Sequence, residues 1–313
     1  MRLKVAILCV ALAAVGCKKG TGTGGGGGGG GWLVGREGLM QNIQPTGELG
    51  AGYDIGTTDN LNAIACRYQG EAWVVGATGT LLYTNDGGKS WSVQSVPTTA
   101  DLRTLATQDF GPVYIAGDGV FMTSSDTGAH WTSLGDGVTK FRSLAAAQEG
   151  STVLAVSDAG ALWSYENNQL VQRATYPGAR AVAVSPDGQT VILAGNGILR
   201  STDGGHNFTA LAVDATIGFE DVRIGDAGNA VAVGAAGAIA TIDTGGSVSV
   251  QRVGTATLHT LHIADLDSVD AVGYAAGEGG QVLITHDGGA TWQLGPNLGV
   301  TVFGVDEIGL GHR

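Results

Sequence analysis

The eight-residue stretch TNDGGKSW, Thr84–Trp91, recurs near the C-terminus as THDGGATW, Thr285–Trp292. Two weaker copies lie between them: SSDTGAHW at Ser124–Trp131 and STDGGHNF at Ser201–Phe208. Each copy places a hydroxyl residue two positions before an acid, with glycine and then an aromatic residue following. Glycine tolerates backbone conformations with positive φ, so the stretch predicts a tight turn that the chain uses repeatedly.

The acid of this turn motif recurs with a period near 40 residues. Counting two degenerate copies, in which valine replaces the aromatic residue, the acidic positions are Asp86, Asp126, Glu166, Asp203, Asp243 and Asp287. They are separated by 40, 40, 37, 40 and 44 residues. A period of this length indicates a fold that stacks copies of one supersecondary unit.

A short apolar run that ends in a glycine-bounded turn precedes each turn motif. Clear examples are Trp73–Gly76 and Ala230–Gly234, and Trp32–Gly35 marks a seventh unit. Each unit has room for four short strands, and seven units of about 40 residues fill residues 32–313. The sequence therefore predicts an all-β fold, a seven-bladed β-propeller of four-stranded antiparallel blades. The C-terminal run Gly299–Val305 is expected to pair with the N-terminal blade and close the ring.

The turn motif resembles the Asp box of the BNR repeat. Together with the glycine-bounded strand before it, the pattern is similar to the propellers of photosystem II assembly and stability factors. The resemblance covers nearly all of residues 32–313 and implies that the Asp boxes are structural. Their carboxylates would accept N–H groups of the turn between the third and fourth strands, and their aromatic residues would pack between blades. The residues given this role by the resemblance are Asp86, Asp126, Asp203, Asp243, Asp287, Trp91, Trp131 and Trp292.

The N-terminus has the pattern of a secretion signal. Arg2 and Lys4 precede the apolar run Val5–Val15, which is too short to span a membrane as a permanent helix. The segment Ala14–Cys17 resembles a bacterial lipobox, which implies that Cys17 is acylated. The alternative is an ordinary cleaved signal that contains an incidental cysteine.

These N-terminal features predict three segments. Residues 1–16 form a lipoprotein signal peptide, residues 17–31 form the acylated cysteine and a glycine-rich tether, and residues 32–313 form the propeller. Such a tether is flexible by composition. The sequence thus leads us to expect a bacterial outer-membrane lipoprotein that faces the periplasm or the cell surface and contacts the membrane through its lipid anchor.

Composition excludes several classes of protein. Hydrophobic residues make up 43% of the chain and charged residues 14%, which is typical of a chain with a buried core and not of a disordered one. The chain has 55 glycines but lacks the strict three-residue period of collagen. With 16 basic and 28 acidic residues, its net charge of -12 disfavours a nucleic acid as a partner.

Near the start of each predicted innermost strand lies one position whose residue differs from blade to blade and is polar in six of the seven. Aligned at this position of the repeat, the residues are Asn62, Arg103, Arg142, Arg180, Glu220, His259 and Phe303. Three neighbouring blades thus place an arginine at the same radius. Guanidinium groups held together repel one another unless an anion lies between them, and they suit carboxylates or phosphates. We interpret these residues, Phe303 excepted, as ligand-binding candidates. The alternative is that loop acids such as Asp118 and Asp158 neutralise the arginines.

These observations leave three functions open. The first is a non-catalytic binding or scaffold module that holds a protein, an acidic peptide segment or a glycan on its arginine-bearing face. The second is a sialidase-like glycan hydrolase, although the Arg-Ile-Pro signature of sialidases is absent. The third is a structural spacer. We predict no catalytic residue, no cofactor and no metal site, because His259 and His262 lie three apart on a strand and would face opposite sides.

Overall fold

The computed structural model describes residues 30–67 and 70–307. Within them the backbone forms strands joined by short turns, four of which are three-residue 3-10 turns (Arg36–Gly38, Ala77–Gly79, Ala235–Gly237 and Glu278–Gly280). In chain order the strands are β1 (Gly31–Gly35), β2 (Met40–Ile43), β3 (Leu49–Gly52), β4 (Leu61–Arg67), β5 (Glu71–Gly76), β6 (Leu81–Thr84), β7 (Ser92–Val93), β8 (Leu102–Thr107), β9 (Val113–Gly117), β10 (Phe121–Ser124), β11 (Thr132–Ser133), β12 (Phe141–Ala146), β13 (Val153–Ser157), β14 (Ala161–Glu166), β15 (Gln169–Thr175), β16 (Ala179–Val184), β17 (Val191–Gly195), β18 (Gly197–Ser201), β19 (Thr209–Ala210), β20 (Phe219–Ile224), β21 (Ala230–Gly234), β22 (Ala238–Ile242), β23 (Val248–Arg252), β24 (Leu258–Ile263), β25 (Gly273–Gly277), β26 (Gln281–Thr285), β27 (Gln293–Asn297) and β28 (Val302–Glu307).

The strands form seven antiparallel sheets of four, which are the blades of a propeller. Blade 1 has the order β28-β1-β2-β3, and blades 2 to 7 each take four consecutive strands, from β4–β7 to β24–β27. The C-terminal strand β28 is therefore the innermost strand of the blade that the N-terminal strand β1 begins. This confirms both the predicted seven-bladed fold and the predicted closure of the ring, which pairs the inner edge of β1.

The hydrophobic core is divided among the gaps between blades. In the described part of the chain, one cluster of buried side chains fills each of the seven gaps. Between blades 3 and 4, for example, the rings of Phe121 and Phe141 meet edge to face with centroids 5.7 Å apart. Because every blade is buried on both faces, its inner strands read as continuous apolar runs in the sequence.

Every innermost strand contains a β-bulge after its first residue. In blade 3, Leu102 pairs with Gly117 while Thr104 pairs with Ala116, so Arg103 is the extra residue. This geometry explains why the second strand of blade 3 ends in glycine. A Cβ at Gly117 would lie 1.9 Å from the carbonyl oxygen of Asp101, so the backbones approach too closely for any side chain. In six of the seven blades the glycine that ends this apolar run marks the bulge, and in blade 4 Ser157 takes its place.

The Asp boxes form the turns between the third and fourth strands. Asp86 accepts hydrogen bonds from the Ser90 amide (3.0 Å) and the Ser90 hydroxyl (2.6 Å). These bonds, those of the Ser90 side chain foremost, lower the pKa of Asp86 to about 2. Gly87 and Gly88 both have positive φ, as the turn requires. In blade 4 the motif is lost, and a two-residue hairpin turn, Asn167–Asn168, with positive φ at both positions replaces it.

The predicted signal peptide and most of the predicted tether lie outside the described residues. None of the helices in the described ranges has the length and hydropathy of a membrane span.

Candidate functional site

The bulges place seven equivalent residues around one mouth of the central channel. Each is the second residue of an innermost strand, and they are Asn62, Arg103, Arg142, Arg180, Glu220, His259 and Phe303, which we call the bulge ring. A bulge removes its residue from the strand ladder and re-aims the side chain. The loops that enter each innermost strand and those between second and third strands lie on this side, the mouth face. The Asp boxes lie on the other side, the Asp-box face.

Arg103 is held by two acids of the mouth face. Its Nε lies 2.6 Å from Oδ1 of Asp118, and its Nη1 lies 2.8 Å from Oδ2 of Asp158 on the next blade. Asp118 also pairs with Lys140 at 3.1 Å. These are the two acids that the sequence offered as neutralising partners. Arg103 therefore belongs to a small charge network in which each side chain is partly exposed.

Arg142 and Arg180 share one carboxylate. Nη2 of Arg142 lies 3.2 Å from Oε2 of Glu220, and Nη1 of Arg180 contacts Oε1 of the same side chain. Glu220 is 7% exposed and bridges from blade 6 to blades 4 and 5. In the sequence, Glu220 is a ligand-binding candidate at the same repeat position as the arginines. In the structure, it is their counter-ion.

Arg142 is a largely buried cation of the bulge ring that lies near two acids. Burial lowers the pKa of its guanidinium, while the charges of Glu220 and Asp158 raise it. Its Nε is buried and has no hydrogen-bond partner in the described part of the chain. A buried N–H without an acceptor costs free energy, so an incoming acceptor at this position is favoured.

The remaining ring positions are uncharged. Nδ2 of Asn62 donates to the carbonyl oxygen of Leu102 at 2.7 Å, which ties blade 2 to blade 3. His259 is 2% exposed, its ring packs 6.1 Å from that of Phe303, and neither ring nitrogen has a hydrogen-bond partner among the described residues. Burial lowers the pKa of His259, which keeps the imidazole neutral at physiological pH.

The expectation that His259 and His262 face opposite sides of a strand is wrong. His259 packs against Phe303, and Nδ1 of His262 lies 2.7 Å from Oδ1 of Asp306, so both rings face blade 1. The bulge between Leu258 and Thr260 inserts one residue and shifts the alternation, so a spacing of three returns to the same side. In the described ranges, no group of three or more His, Cys, Asp or Glu side chains is placed to hold a metal ion.

A second polar group, deeper in the channel, was missed by the sequence analysis. It comprises Asp221 and Arg223 of blade 6, His262 of blade 7 and Asp306 of blade 1, all 5% exposed or less. They occupy the third or fifth position of their innermost strands, where the other blades mostly carry alanine, serine or threonine. Counted along the repeat, these residues lie one and three positions after the residue of the bulge ring.

This deeper group ties neighbouring blades through their backbones. Oδ2 of Asp306 accepts the Cys66 amide of blade 2 at 3.0 Å. Oδ2 of Asp221 accepts the Leu261 amide of blade 7 at 2.9 Å. Burial raises the pKa of Asp221 to about 6, against the opposing effect of the nearby Arg223 charge. The group therefore has a structural role, and its polar side chains lie buried inside the ring rather than at the mouth.

Comparison with known proteins supports this architecture. Residues 49–167 match the family model of the photosynthesis system II assembly factor YCF48. The chain resembles YCF48. The family match, together with the YCF48 structures below, confirms the resemblance that the Asp boxes predicted. In a sequence comparison, no curated protein matches the chain.

Solved propellers superpose on most of the chain. YCF48 from Cyanidioschyzon merolae has a TM-score of 0.60 and 17% identity, covering 79% of this chain and 88% of its own. YCF48 bound to D1 peptide has a TM-score of 0.62 and 20% identity, covering 84% and 87%. A catalytically inactive virginiamycin B lyase from Staphylococcus aureus with quinupristin has a TM-score of 0.63 and 13% identity, covering 77% and 85%. Because the identities are between 13% and 20%, the likeness to YCF48 and to the lyase shows the fold alone.

Proposed function

We propose that this protein is a non-catalytic binding module of the bacterial cell envelope, anchored by a lipid on Cys17, whose bulge ring holds an acidic protein segment. The observation that carries the proposal is Arg142, a largely buried guanidinium at the channel mouth whose Nε has no acceptor in the described ranges. A carboxylate that enters the mouth would meet the guanidinium groups of Arg103, Arg142 and Arg180, and a shift of the Arg142 side chain would offer it this N–H. The YCF48 structure bound to D1 peptide supports a peptide ligand for a propeller of this kind.

The start of β1 indicates which face a tether anchored at Cys17 would bring near the membrane. Gly31 pairs with Glu307 at the end of β28 that lies away from the mouth, so β1 begins on the Asp-box face. A protein held to a membrane by that tether would present its bulge ring away from the lipid. We expect the Cys17→Ser variant to move from the membrane fraction to the soluble fraction and to lose incorporation of a labelled fatty acid. Unchanged membrane association of the variant would contradict the anchor.

The site itself is tested by the affinity of an acidic peptide. We expect a fluorescent decapeptide rich in glutamate to bind the purified propeller, and Arg142→Ala to weaken this binding at least about tenfold, measured by fluorescence anisotropy. Glu220→Gln should strengthen it, because the change removes the carboxylate that competes for Arg142 and Arg180. An isosteric glutamine-rich peptide should bind much less tightly.

A matched control separates the site from overall charge. Arg173→Ala removes the same charge from the outer strand β15, where Arg173 pairs with Glu166 and donates to Gly204 near an Asp box. It should leave peptide affinity unchanged. If no acidic peptide binds, or if Arg142→Ala and Glu220→Gln change nothing, the bulge ring only neutralises itself and the spacer function stands instead.

Among the described residues, the competing hydrolase function has no tyrosine nucleophile paired with an acid at the mouth. A sialidase mechanism needs a tyrosine with an acid partner beside the arginines. In the described ranges, the tyrosine that hydrogen-bonds a carboxylate is Tyr83, at 2.6 Å from Glu71. Glu71 begins β5 and Tyr83 lies near the end of β6, so this pair lies on the Asp-box side of the ring. This arrangement favours the binding function over hydrolysis.

A further inference from the structure

A cavity of about 380 Å³ opens between blades 1 and 2 on the Asp-box face, opposite the bulge ring. Its lining residues are Gly30, Trp32, Asn42, Gln44, Ala51, Gly52, Tyr53, Gly87, Gly88 and Lys89. Half of these are glycine or alanine, so backbone forms much of the wall and leaves room. The volume falls in the range of small-molecule sites, about 300–1,000 Å³.

The indole of Trp32 is arranged differently from its equivalent in the next blade. Trp73 occupies the same position in blade 2, and its Nε1 donates to the Thr127 carbonyl oxygen of the next Asp box at 3.2 Å. Trp32 has no such acceptor among the described residues. Its Nε1 lies against Gly88, where an added Cβ would come within 2.6 Å of it. Since Trp32 and Gly88 both line the cavity, this N–H is a donor left for a ligand.

Other side chains of the cavity offer a mixed set of polar groups. The Gln44 amide donates to Asn42 Oδ1, and Asn42 donates to the Gly31 carbonyl oxygen at 3.1 Å, which fixes both amides. The oxygen of the Gln44 amide has no donor within the described residues. Lys89 is exposed, and its ammonium has no carboxylate partner in those ranges. It is also the one charged side chain of the lining.

Four backbone N–H groups of the lining are already paired within the fold. The amide of Gln44 donates to Glu48, that of Tyr53 to Met40, and that of Gly87 to Gly70. The Gly88 amide donates to the Thr84 hydroxyl. An extended peptide is usually held by free backbone groups, which these are not. Recognition here falls to side chains: two aromatic rings, two oriented amides and one ammonium.

We propose that this cavity binds a sugar unit of a glycan, and that Lys89 favours a unit bearing a carboxylate. A sugar ring presents apolar C–H groups that pack on aromatic rings such as Trp32 and Tyr53, and hydroxyl groups that both donate and accept. The Gln44 oxygen and the Trp32 N–H supply the matching acceptor and donor. The ammonium of Lys89 adds a charge-assisted bond to a carboxylate. This site is separate from the bulge ring and does not depend on its function.

The Trp32 indole N–H is a direct reporter of this binding. We expect glucuronic acid, titrated into uniformly ¹⁵N-labelled protein, to shift the Trp32 indole resonance saturably, with Trp32→Phe identifying the peak. Glucose should shift the same resonance with weaker affinity. The Trp73 resonance is the internal control and should stay in place, because its N–H is already bonded within the fold.

Two variants test the roles of the polar groups without touching the core. Lys89→Ala should remove most of the preference for glucuronic acid over glucose, a loss of about fivefold in relative affinity. Gln44→Ala should weaken both sugars. The proposal is overturned if neither sugar shifts the Trp32 resonance saturably up to about 20 mM, a range that covers weak single-site binding. It is equally overturned if an acetylated glutamate tripeptide shifts that resonance and the sugars do not, since the cavity is then a peptide site.

Discussion

Asp306→Ala is expected to lower the free energy of unfolding by about 3–5 kcal/mol, the usual cost of removing one partner from a buried charged contact. Asp306 is fully buried on the strand that closes the ring. Its Oδ2 accepts the Cys66 amide of blade 2 at 3.0 Å, and its Oδ1 lies 2.7 Å from His262 of blade 7. One side chain thus joins three blades on the strand that pairs with β1 and closes the ring. Chemical denaturation followed by far-UV circular dichroism measures the change.

The control for this variant is Asp270→Ala. Asp270 is exposed on a loop of blade 7, and its removal should change the unfolding free energy by less than about 0.5 kcal/mol. Asp306→Asn provides a graded case, because the amide oxygen can still accept the Cys66 amide while the charge beside His262 is lost. If Asp306→Ala is no more destabilising than Asp270→Ala, strand pairing alone closes the ring and the carboxylate contributes nothing.

Asp221→Asn should change how stability depends on pH. Burial raises the pKa of Asp221 to about 6 in the folded protein, against about 3.9 in an unfolded chain. A raised folded pKa means that the folded state binds the proton more tightly. The stability contributed by this group is therefore fully present below about pH 4 and is lost as the pH rises through 6. Wild-type stability relative to the Asn variant should fall by about 2 kcal/mol between pH 4 and pH 7.

The measurement is a pair of urea denaturation series at several pH values. Asp270→Asn, an exposed counterpart, should follow the wild type at a constant offset throughout this range. The Asp boxes do not interfere, because their hydrogen bonds lower the pKa of carboxylates such as Asp86 to about 2. Their contribution is present above about pH 4 and is lost only as the pH falls towards 2. A gap between wild type and Asp221→Asn that does not vary with pH would show that Arg223 fully compensates the buried charge.

Much of the architecture could be predicted from the sequence because it depends on local chemistry. The turn in an Asp box needs an acid, glycine at positive φ and an aromatic residue within eight positions, so the copies in blades 2, 3, 5 and 7 leave a readable trace, whereas blade 4 has lost the motif. In blade 3 the second strand ends in glycine because the bulge brings the Asp101 carbonyl oxygen within 1.9 Å of a Cβ at Gly117, and five other blades keep the glycine while blade 4 has Ser157 there. A repeated local requirement gives a period, and the period gives the number of blades.

The candidate site was predicted in part. Counting along the repeat located Arg103, Arg142 and Arg180 at equivalent positions, because the same bulge begins every innermost strand. Counting could not show that one carboxylate, Glu220, reaches both Arg142 and Arg180 across neighbouring blades. The contact with Arg142 joins residues 78 positions apart and spans two blade boundaries. Such pairings depend on side-chain reach and on the radius of the ring.

For the two histidines, counting along the strand predicted the wrong arrangement. Strict alternation along a strand separates His259 from His262, and only the inserted bulge residue brings both rings to the side of blade 1. The cavity beside Trp32 is similar, since its lining comes from β1, β2, β3 and the Asp box of blade 2. No spacing within one repeat indicates that the Trp32 N–H is left without an acceptor while the Trp73 N–H is not.

By itself, then, the sequence determined the number of blades, the closure by β28 and the ring of equivalent positions, because turns and strand ends have requirements satisfied by residues close together in the chain. The tertiary structure alone decided which charges neutralise one another, which acids are buried between blades and where a cavity remains. Those outcomes depend on contacts that range from Arg103 and Asp118 within blade 3 to Cys66 and Asp306, 240 positions apart. Their free energies follow from distance and burial after the blades have packed.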